Sequence, residues 1–350
     1  MAATMTRSAT RREAPAMEAS NRSSPAHQAV RLALLALFAS AVLLPSLWQP
    51  LMTRIYDKLY HSTLYNYSFV ETLETLFVYG FIEPIYTAVY ARNHASRIDI
   101  RGPASKRSDG KPPPLPKMAR PKHRLRELLT FASPLLLLDL TMVKKYAGVS
   151  VSAIRNSAGY GAPTLKPGMS GHFLKPSLHN FSLASPLQLY RALPPEAPSS
   201  RRLALELLTS IVIYDFLFFA AHLAFHRVPL LARIHFPHHK HAEMHPQVTN
   251  RLSVPERLSL ILLANFALNI IGSHVLTRTL FVPMFVYLLI EVHSGVDLAW
   301  QYDKILPRGW GAGSRKHAAH HKDGKKYFAP FFCWWDEALD YWDDAWSKAE

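Results

Sequence analysis

Apolar and polar positions in this chain are segregated into long blocks rather than finely alternated. Residues 30–48, VRLALLALFASAVLLPSLW, carry no charge after Arg31. They are long enough to cross the hydrocarbon core of a bilayer, which takes about 20 helical residues. Residues 69–90 form a second apolar block, weakened by Glu71, Glu74, Glu83 and Pro84. Residues 128–143 are apolar but short, so they either cross or lie in the interface. Residues 203–225 form another full span. Residues 256–276 and 279–293 read as a helical hairpin whose second arm is short for a crossing. There is no internal repeat and no alternating run long enough for a barrel strand. The pattern predicts an all-α integral membrane protein with about four to six transmembrane helices.

The blocks also divide the chain. Residues 1–29 are rich in Ser, Ala, Arg and Pro and are expected to be a disordered tail. They do not read as a cleaved leader, because the apolar stretch begins late. Residues 30–200 form an N-terminal membrane region containing a basic, proline-rich loop at 91–127, where eleven Lys and Arg fall. Residues 201–350 form a second unit, in which the apolar spans run directly into histidine-rich segments. Basic residues near spans stay on the cytosolic side, which places the 91–127 loop there. If 128–143 crosses, parity puts the end of the 203–225 span, the end of the hairpin and everything beyond it in the cytosol. Two sequons, Asn66-Tyr67-Ser68 and Asn180-Phe181-Ser182, then fall on the lumenal side.

Charge and cysteine content narrow the chemistry. The formal net charge of +15 fits a nucleic acid or an anionic membrane surface. The apolar blocks select the membrane, and no nucleic-acid partner is expected. The single cysteine, Cys333, excludes a disulfide or a cysteine-built zinc site within one chain. Any bound metal must therefore be held by His, Asp or Glu.

Histidine is the residue in excess. Of 18 histidines, seven fall within 222–245. His222 and His226 are one helical turn apart and share a face. His235, His238 and His239 form H-x-x-H-H, a spacing that places all three toward one side of a helix. His317, His320 and His321 repeat it near the C-terminus, and His293 stands at the end of the hairpin. Imidazole is the commonest metal ligand. A mononuclear site takes three or four protein ligands, so this number of clustered histidines suits two ions. His241 and His245 continue the run but lie outside the repeated pattern and are not expected to ligate. His61, His172, His179 and His274 fall on the opposite side of the membrane.

The blocks H-x3-H at 222–226, H-x-x-H-H at 235–239 and H-x-x-H-H at 317–321 resemble the three histidine boxes of the fatty acid hydroxylase/sterol desaturase superfamily. The segment EVHSGVDLAW (291–300) resembles the H-x-G element between boxes two and three. The tail HHKDGKKYFAPFFCWWDEAL (320–339) resembles that of the cholesterol 25-hydroxylase-like branch. The resemblance covers roughly residues 203–340. It implies a membrane-bound di-iron oxygenase of the endoplasmic reticulum, with a cytosolic cap holding two iron ions on His222, His226, His235, His238, His239, His293, His317, His320 and His321. It further implies O2 as co-substrate, a sterol, fatty acyl or other lipid-like substrate, and NAD(P)H electrons delivered by cytochrome b5 and its reductase. Second-sphere carboxylates normally orient metal-bound histidines, and Asp215, Glu291, Asp297 and Asp336 are the candidates. A desaturase, or a hydroxylase of a terpenoid or polyketide, fits the same boxes. A zinc hydrolase or zinc transporter is the rival from another class. The hydrolase is disfavoured because Leu223, Ala224 and Phe225 stand where H-E-x-x-H would carry its glutamate. The transporter is disfavoured because the histidines gather at one membrane face rather than within the spans.

Overall fold

The computed structural model describes residues 24–98, 115–116, 118, 121–142, 146–157, 187–241 and 243–349. Among them the regular elements are helical. The first is α1 (Pro25–Leu43), which starts inside the segment expected to be a tail. Ser24 explains the start. Its hydroxyl accepts the His27 N–H at 3.3 Å, and the His27 ring accepts the Ser24 N–H at 3.2 Å, a reciprocal cap that satisfies two otherwise unpaired donors. Residues 1–23 of the expected tail lie outside the described residues.

The expected span at 30–48 is broken. A second helix, α2 (Pro45–Tyr60), begins at Pro45, which has no N–H to continue α1 and is pre-set for a first helical position. Helix α3 (Val70–Arg92) is the expected second block. Its acids are accommodated inside the protein: Glu71 pairs with Arg191 at 3.2 Å and with Arg278 at 3.1 Å. Helix α4 (Pro121–Thr141) takes in the last residues of the basic loop as well as the short apolar block. Residues 99–114 of that loop lie outside the described residues. So does the sequon at Asn180, whereas the amide of Asn66 donates to the carbonyls of Tyr60 and Ser62, both at 2.8 Å.

Helix α5 (Ser200–Arg227) is 28 residues long, about 42 Å at 1.5 Å per residue. That exceeds the roughly 30 Å hydrocarbon thickness, so its last turns emerge beyond the apolar layer. A short helix, α6 (Pro229–His239), follows at once. The hairpin is α7 (Val254–Ile270) and α8 (Val275–Val292). Its turn falls earlier than the hydropathy pattern suggests. Gly272 at φ +59 reverses the chain, and the His274 ring accepts the Leu276 N–H at 3.1 Å as the cap of α8. The second arm is therefore 18 residues, long enough to cross. After a single turn of helix at Tyr302–Ile305 come two longer helices, α9 (Gly313–Asp323) and α10 (Trp334–Ala349).

Helix α8 is apolar on all sides and sits at the centre. One face meets Tyr214 and Phe218 of α5 and Leu260 and Ala264 of α7 through Phe281. The other meets Tyr79, Tyr86 and Tyr90 of α3 through Val286 and Ile290. Among the described helices, α1, α5 and α8 are long and apolar enough to cross a membrane. Helix α1 buries none of its residues, as a lipid-facing helix does. The protein is an all-α membrane protein in which α5 and α8 carry their C-terminal ends, and with them His222, His226 and His293, to the same pole.

Candidate metal centre

Four elements bring the histidines together. The last turns of α5 present His222 and His226, α6 presents His235, His238 and His239, His293 caps the C-terminus of α8, and α9 presents His317, His320 and His321. All nine fall into two adjacent groups. The first is His222, His226, His235, His239 and His320; the second is His238, His293, His317 and His321. Within each, one ring nitrogen per residue lies within 4.8 Å of the others.

The H-x-x-H-H spacing does not send three rings to one place, as the sequence pattern suggests. Residues i and i+4 are 40° apart around a helix, whereas i+3 and i+4 are 100° apart. In α6 the i, i+4 pair His235 and His239 enters the first group and His238 the second. In α9 the assignment is exchanged: His317 and His321 enter the second group and His320 the first. Each helix therefore serves both groups.

The nitrogens converge closely. In the first group, His235 Nε2 lies 3.1 Å from His222 Nε2, 3.1 Å from His226 Nε2 and 2.8 Å from His239 Nε2. In the second, His293 Nε2 is 3.2 Å from His238 Nε2 and 2.9 Å from His317 Nε2, which is 3.2 Å from His321 Nε2. Two nitrogens bound to one ion at about 2.1 Å and at right angles stand about 3.0 Å apart. The observed separations are edges of that kind.

The opposite ring nitrogens fix the protonation. His222 Nδ1 donates to the Phe328 carbonyl at 2.7 Å, His293 Nδ1 to the Leu289 carbonyl at 2.7 Å, and His320 Nδ1 to the Lys326 carbonyl at 2.7 Å. His235 Nδ1 meets Glu256 Oε1 at 2.6 Å. An oxygen of this kind accepts, so the proton sits on Nδ1 and the lone pair on Nε2. In a neutral imidazole the converging Nε2 atoms are then acceptors facing acceptors, an arrangement that a shared cation relieves. Burial lowers the pKa of His235 to about 4, and burial with the neighbouring imidazoles lowers that of His239 to about 3. His238, His317, His320 and His321 are also held well below the ordinary range, first by burial. Neutral imidazoles with free lone pairs are what a metal requires. The buried Nε2 of His320 has no protein partner. The donor set fits two metal ions.

The expected second-sphere carboxylates are corrected by this geometry. Asp215 accepts the backbone N–H of Phe331 at 2.8 Å and the Trp335 indole N–H at 2.9 Å; it holds the 328–335 segment and bonds no cluster histidine. Glu291 accepts the Tyr86 hydroxyl at 2.6 Å, the Tyr287 hydroxyl, and the Tyr302 N–H at 2.7 Å. Asp297 pairs with Lys304 at 3.0 Å and Arg315 at 2.6 Å. Asp336 accepts the Phe328 N–H at 2.7 Å and the Ala329 N–H at 3.1 Å, so it reaches His222 only through the peptide between Phe328 and Ala329, whose carbonyl His222 bonds. The acid that does bond a cluster histidine is Glu256, at the start of α7, which sequence reasoning missed. Its signal was faint: Ser253-x-x-Glu256 has the form of a helix cap, and Ser253 does accept the Glu256 N–H at 3.3 Å. Gly324 was missed too. It ends α9 at φ +63, and a Cβ there would meet His226 Cε1 at 3.3 Å. His241, bonded to Arg251 Nη1 at 3.0 Å, and the buried His245 stay outside both groups.

Fold and site together define a helical membrane protein whose spans end in two imidazole-lined sites at one pole. Residues 207–340 match the fatty acid hydroxylase family, a likeness that supports the fatty acid hydroxylase/sterol desaturase superfamily for this part of the chain. Cholesterol 25-hydroxylase of Rattus norvegicus is 35% identical over 148 residues, covering 42% of this chain and 50% of the relative. The Homo sapiens protein of that name is 34% identical, covering 42% and 54%. C-4 methylsterol oxidase of Schizosaccharomyces pombe is 33% identical over 66 residues, covering 19% and 21%. The chain spans about half the length of the cholesterol 25-hydroxylases it matches. No solved structure matches it.

Proposed function

We propose that the protein is a membrane-bound di-iron oxygenase that hydroxylates an unactivated C–H bond of a sterol, fatty acyl or other lipid-like substrate. The observation that carries this reading is the convergence of nine neutral imidazoles into two adjacent groups, five and four strong. The similarity to cholesterol 25-hydroxylases and a methylsterol oxidase supports the lipid class. Two bound iron ions would supply the oxygen chemistry: one atom of O2 enters the C–H bond and the other leaves as water, with two electrons drawn from NAD(P)H. His222, His226, His235, His239 and His320 would hold one ion; His238, His293, His317 and His321 the other.

The chain's own part is positioning. Carbonyls of Phe328, Leu289 and Lys326 and the carboxyl of Glu256 hold the Nδ1 atoms of His222, His293, His320 and His235, which orients the Nε2 of those four rings inward. Burial keeps water from the rings of His238, His317 and His320. Spans that end at the site offer a route for an apolar substrate from the bilayer. The reading includes an endoplasmic reticulum location with the histidine pole cytosolic, where cytochrome b5 and its reductase would deliver electrons.

The test is metal content and product together. The full chain is purified in mild detergent, iron and zinc are counted, and wild type and His238→Ala are expressed in a host without its own lipid hydroxylases. Two irons per chain, with a lipid product heavier by one oxygen that is lost in the variant, is the expected result. A product lighter by two hydrogens makes the enzyme a desaturase. Zinc in place of iron, with unchanged lipids, overturns the oxygenase.

A further inference from the structure

A cavity of about 450 Å³ lies between α4 and the start of α7, outside both histidine groups. Its lining includes Arg126 and Thr130 of α4, Asn250 and Arg251 of the preceding turn, and Arg257 of α7, with Glu127 as the acid of the wall. Three arginines against one glutamate leave it cationic. Arg257 is only 6% exposed. Its guanidinium lies over the Phe131 ring, 4.5 Å from the centroid, and Nη2 donates to the Asn250 carbonyl at 2.9 Å. Its Nη1 is buried and has no hydrogen-bond partner, and neither has the buried Oδ1 of Asn250. A buried guanidinium nitrogen without an acceptor is costly. Held by a ring on one face and a carbonyl on one edge, it is pre-oriented for an incoming oxyanion.

What surrounds the cavity identifies the source of that oxyanion. Leu125, Leu129 and Leu137 of α4 and Leu262 and Phe266 of α7 are exposed apolar side chains on the same two helices. The cavity lies at the pole of the histidines, since the Arg251 carbonyl stands 3.4 Å from His238 Nδ1. A cationic pocket at the end of two helices that carry exposed apolar side chains matches a headgroup with chains attached. We propose that this cavity binds the phosphate of an anionic membrane lipid, with Arg257, Arg251 and Arg126 facing the phosphate and the acyl chains lying along the leucines of α4. Nothing in this reading depends on metal or on catalysis.

Native mass spectrometry of the full-length protein in detergent, titrated with phosphatidic acid or phosphatidylcholine, tests it. The expected result is one phosphatidic acid per chain, bound at least tenfold more tightly than phosphatidylcholine. Arg126→Glu and Arg257→Gln should each weaken it at least tenfold. Arg126 is exposed, so that variant carries the test if Arg257→Gln does not fold. Equal binding of the two lipids, or unchanged phosphatidic acid binding in Arg126→Glu, overturns the proposal. Saturable binding of inorganic phosphate without any preference for phosphatidic acid over phosphatidylcholine overturns the assignment to a lipid.

Discussion

Glu256→Gln keeps almost the same volume but replaces the buried carboxyl, its pKa raised by burial to about 8, that meets His235 Nδ1. The His235 Nδ1 to Glu256 Oε1 contact is 2.6 Å, between side chains only 5% and 3% exposed, so solvent screens it little. His235 is also the hub of its group, with three other Nε2 atoms within 3.1 Å of its own. Loss of such an outer partner lowers metal affinity by about 10- to 100-fold, or about 1.4 to 2.7 kcal/mol. The central place of His235 argues for the upper half of that range. The effect should fall on one ion, because Glu256 touches no member of the second group. The assay is graded dialysis against a chelator, with iron counted at each step. Wild type should hold two irons through a chelator range in which Glu256→Gln falls to one. Asp297→Asn, whose carboxylate pairs with Lys304 and Arg315 and bonds no cluster histidine, should hold both irons through the same chelator range as wild type. If both irons leave Glu256→Gln at the same chelator concentration, the division into two groups is wrong. If Asp297→Asn loses as much as Glu256→Gln, the carboxylate is not what orients the ring.

Other perturbations follow from the same contacts. Gly324→Ala forces a left-handed backbone on a residue with a Cβ, costing about 1–2 kcal/mol, and presses on His226; thermal melting should drop and the iron of the first group should be lost more readily. Asp215→Ala leaves the Phe331 and Phe332 N–H groups and the Trp335 indole without their acceptor, a loss of about 3 kcal/mol or more; near-wild-type stability in chemical denaturation would refute that account. Gly295→Ala would bring a Cβ to 2.2 Å from the Met244 carbonyl oxygen, so the variant should fail to reach wild-type yield of folded protein. In the metal-free protein, His235 and His239 titrate at about 4 and about 3 and near 6.5 when unfolded. Between those values the unfolded chain binds protons that the folded chain refuses, so stability falls as pH drops below 6.5. At pH 5.5 this amounts to about 1.4 kcal/mol per histidine, and equal melting temperatures at pH 5.5 and 7.5 would show that the rings are already protonated in the fold.

The parts of this protein that were legible in its sequence are those written in period and spacing. Apolar blocks located α1, α5 and α8, helical spacing located eight of the nine histidines that the fold gathers, and the ninth, His293, was reached through the resemblance of its H-x-G segment. Partition between the two groups was not legible, because H-x-x-H-H looks the same in α6 and α9 while the two helices approach from different sides. The outer partners were largely invisible for a related reason. Most are backbone carbonyls, of Phe328, Leu289 and Lys326 and, at longer range, of Arg251 and His321, which any residue would supply. Glu256 is the side-chain partner, and the sequence pattern reads it as a cap. The expected carboxylates are each drawn off by nearer donors: backbone N–H groups for Asp215 and Asp336, tyrosines for Glu291, cations for Asp297. Element ends shifted where single residues decide, at Ser24, Pro45 and Gly272.

The acids that weakened the second apolar block explain how the central helix is held at a fixed height. Arg278 and His293 lie on α8 fifteen residues apart, about 22 Å along the axis. Near its N-terminal end Arg278 is bound to Glu71 of α3 through Nε and Nη2, both at 3.1 Å, and to the side chain of Asn265 on α7. Just past its C-terminal end His293 faces His238 and His317. Apolar faces alone let one helix slide past another, because ridges and grooves repeat along the axis. A buried two-point ion pair does not repeat, and a slip of one turn would strand Arg278 unpaired in the interior and leave Glu71 with Arg191 alone. Such pairs are poor sources of net stability, and fixing register is their best-attested use. Here the register in question is the position of His293 relative to three histidines supplied by two other helices. A buried charged pair at the far ends of α3 and α8, away from the histidines, thereby fixes the register on which the geometry at the opposite pole depends.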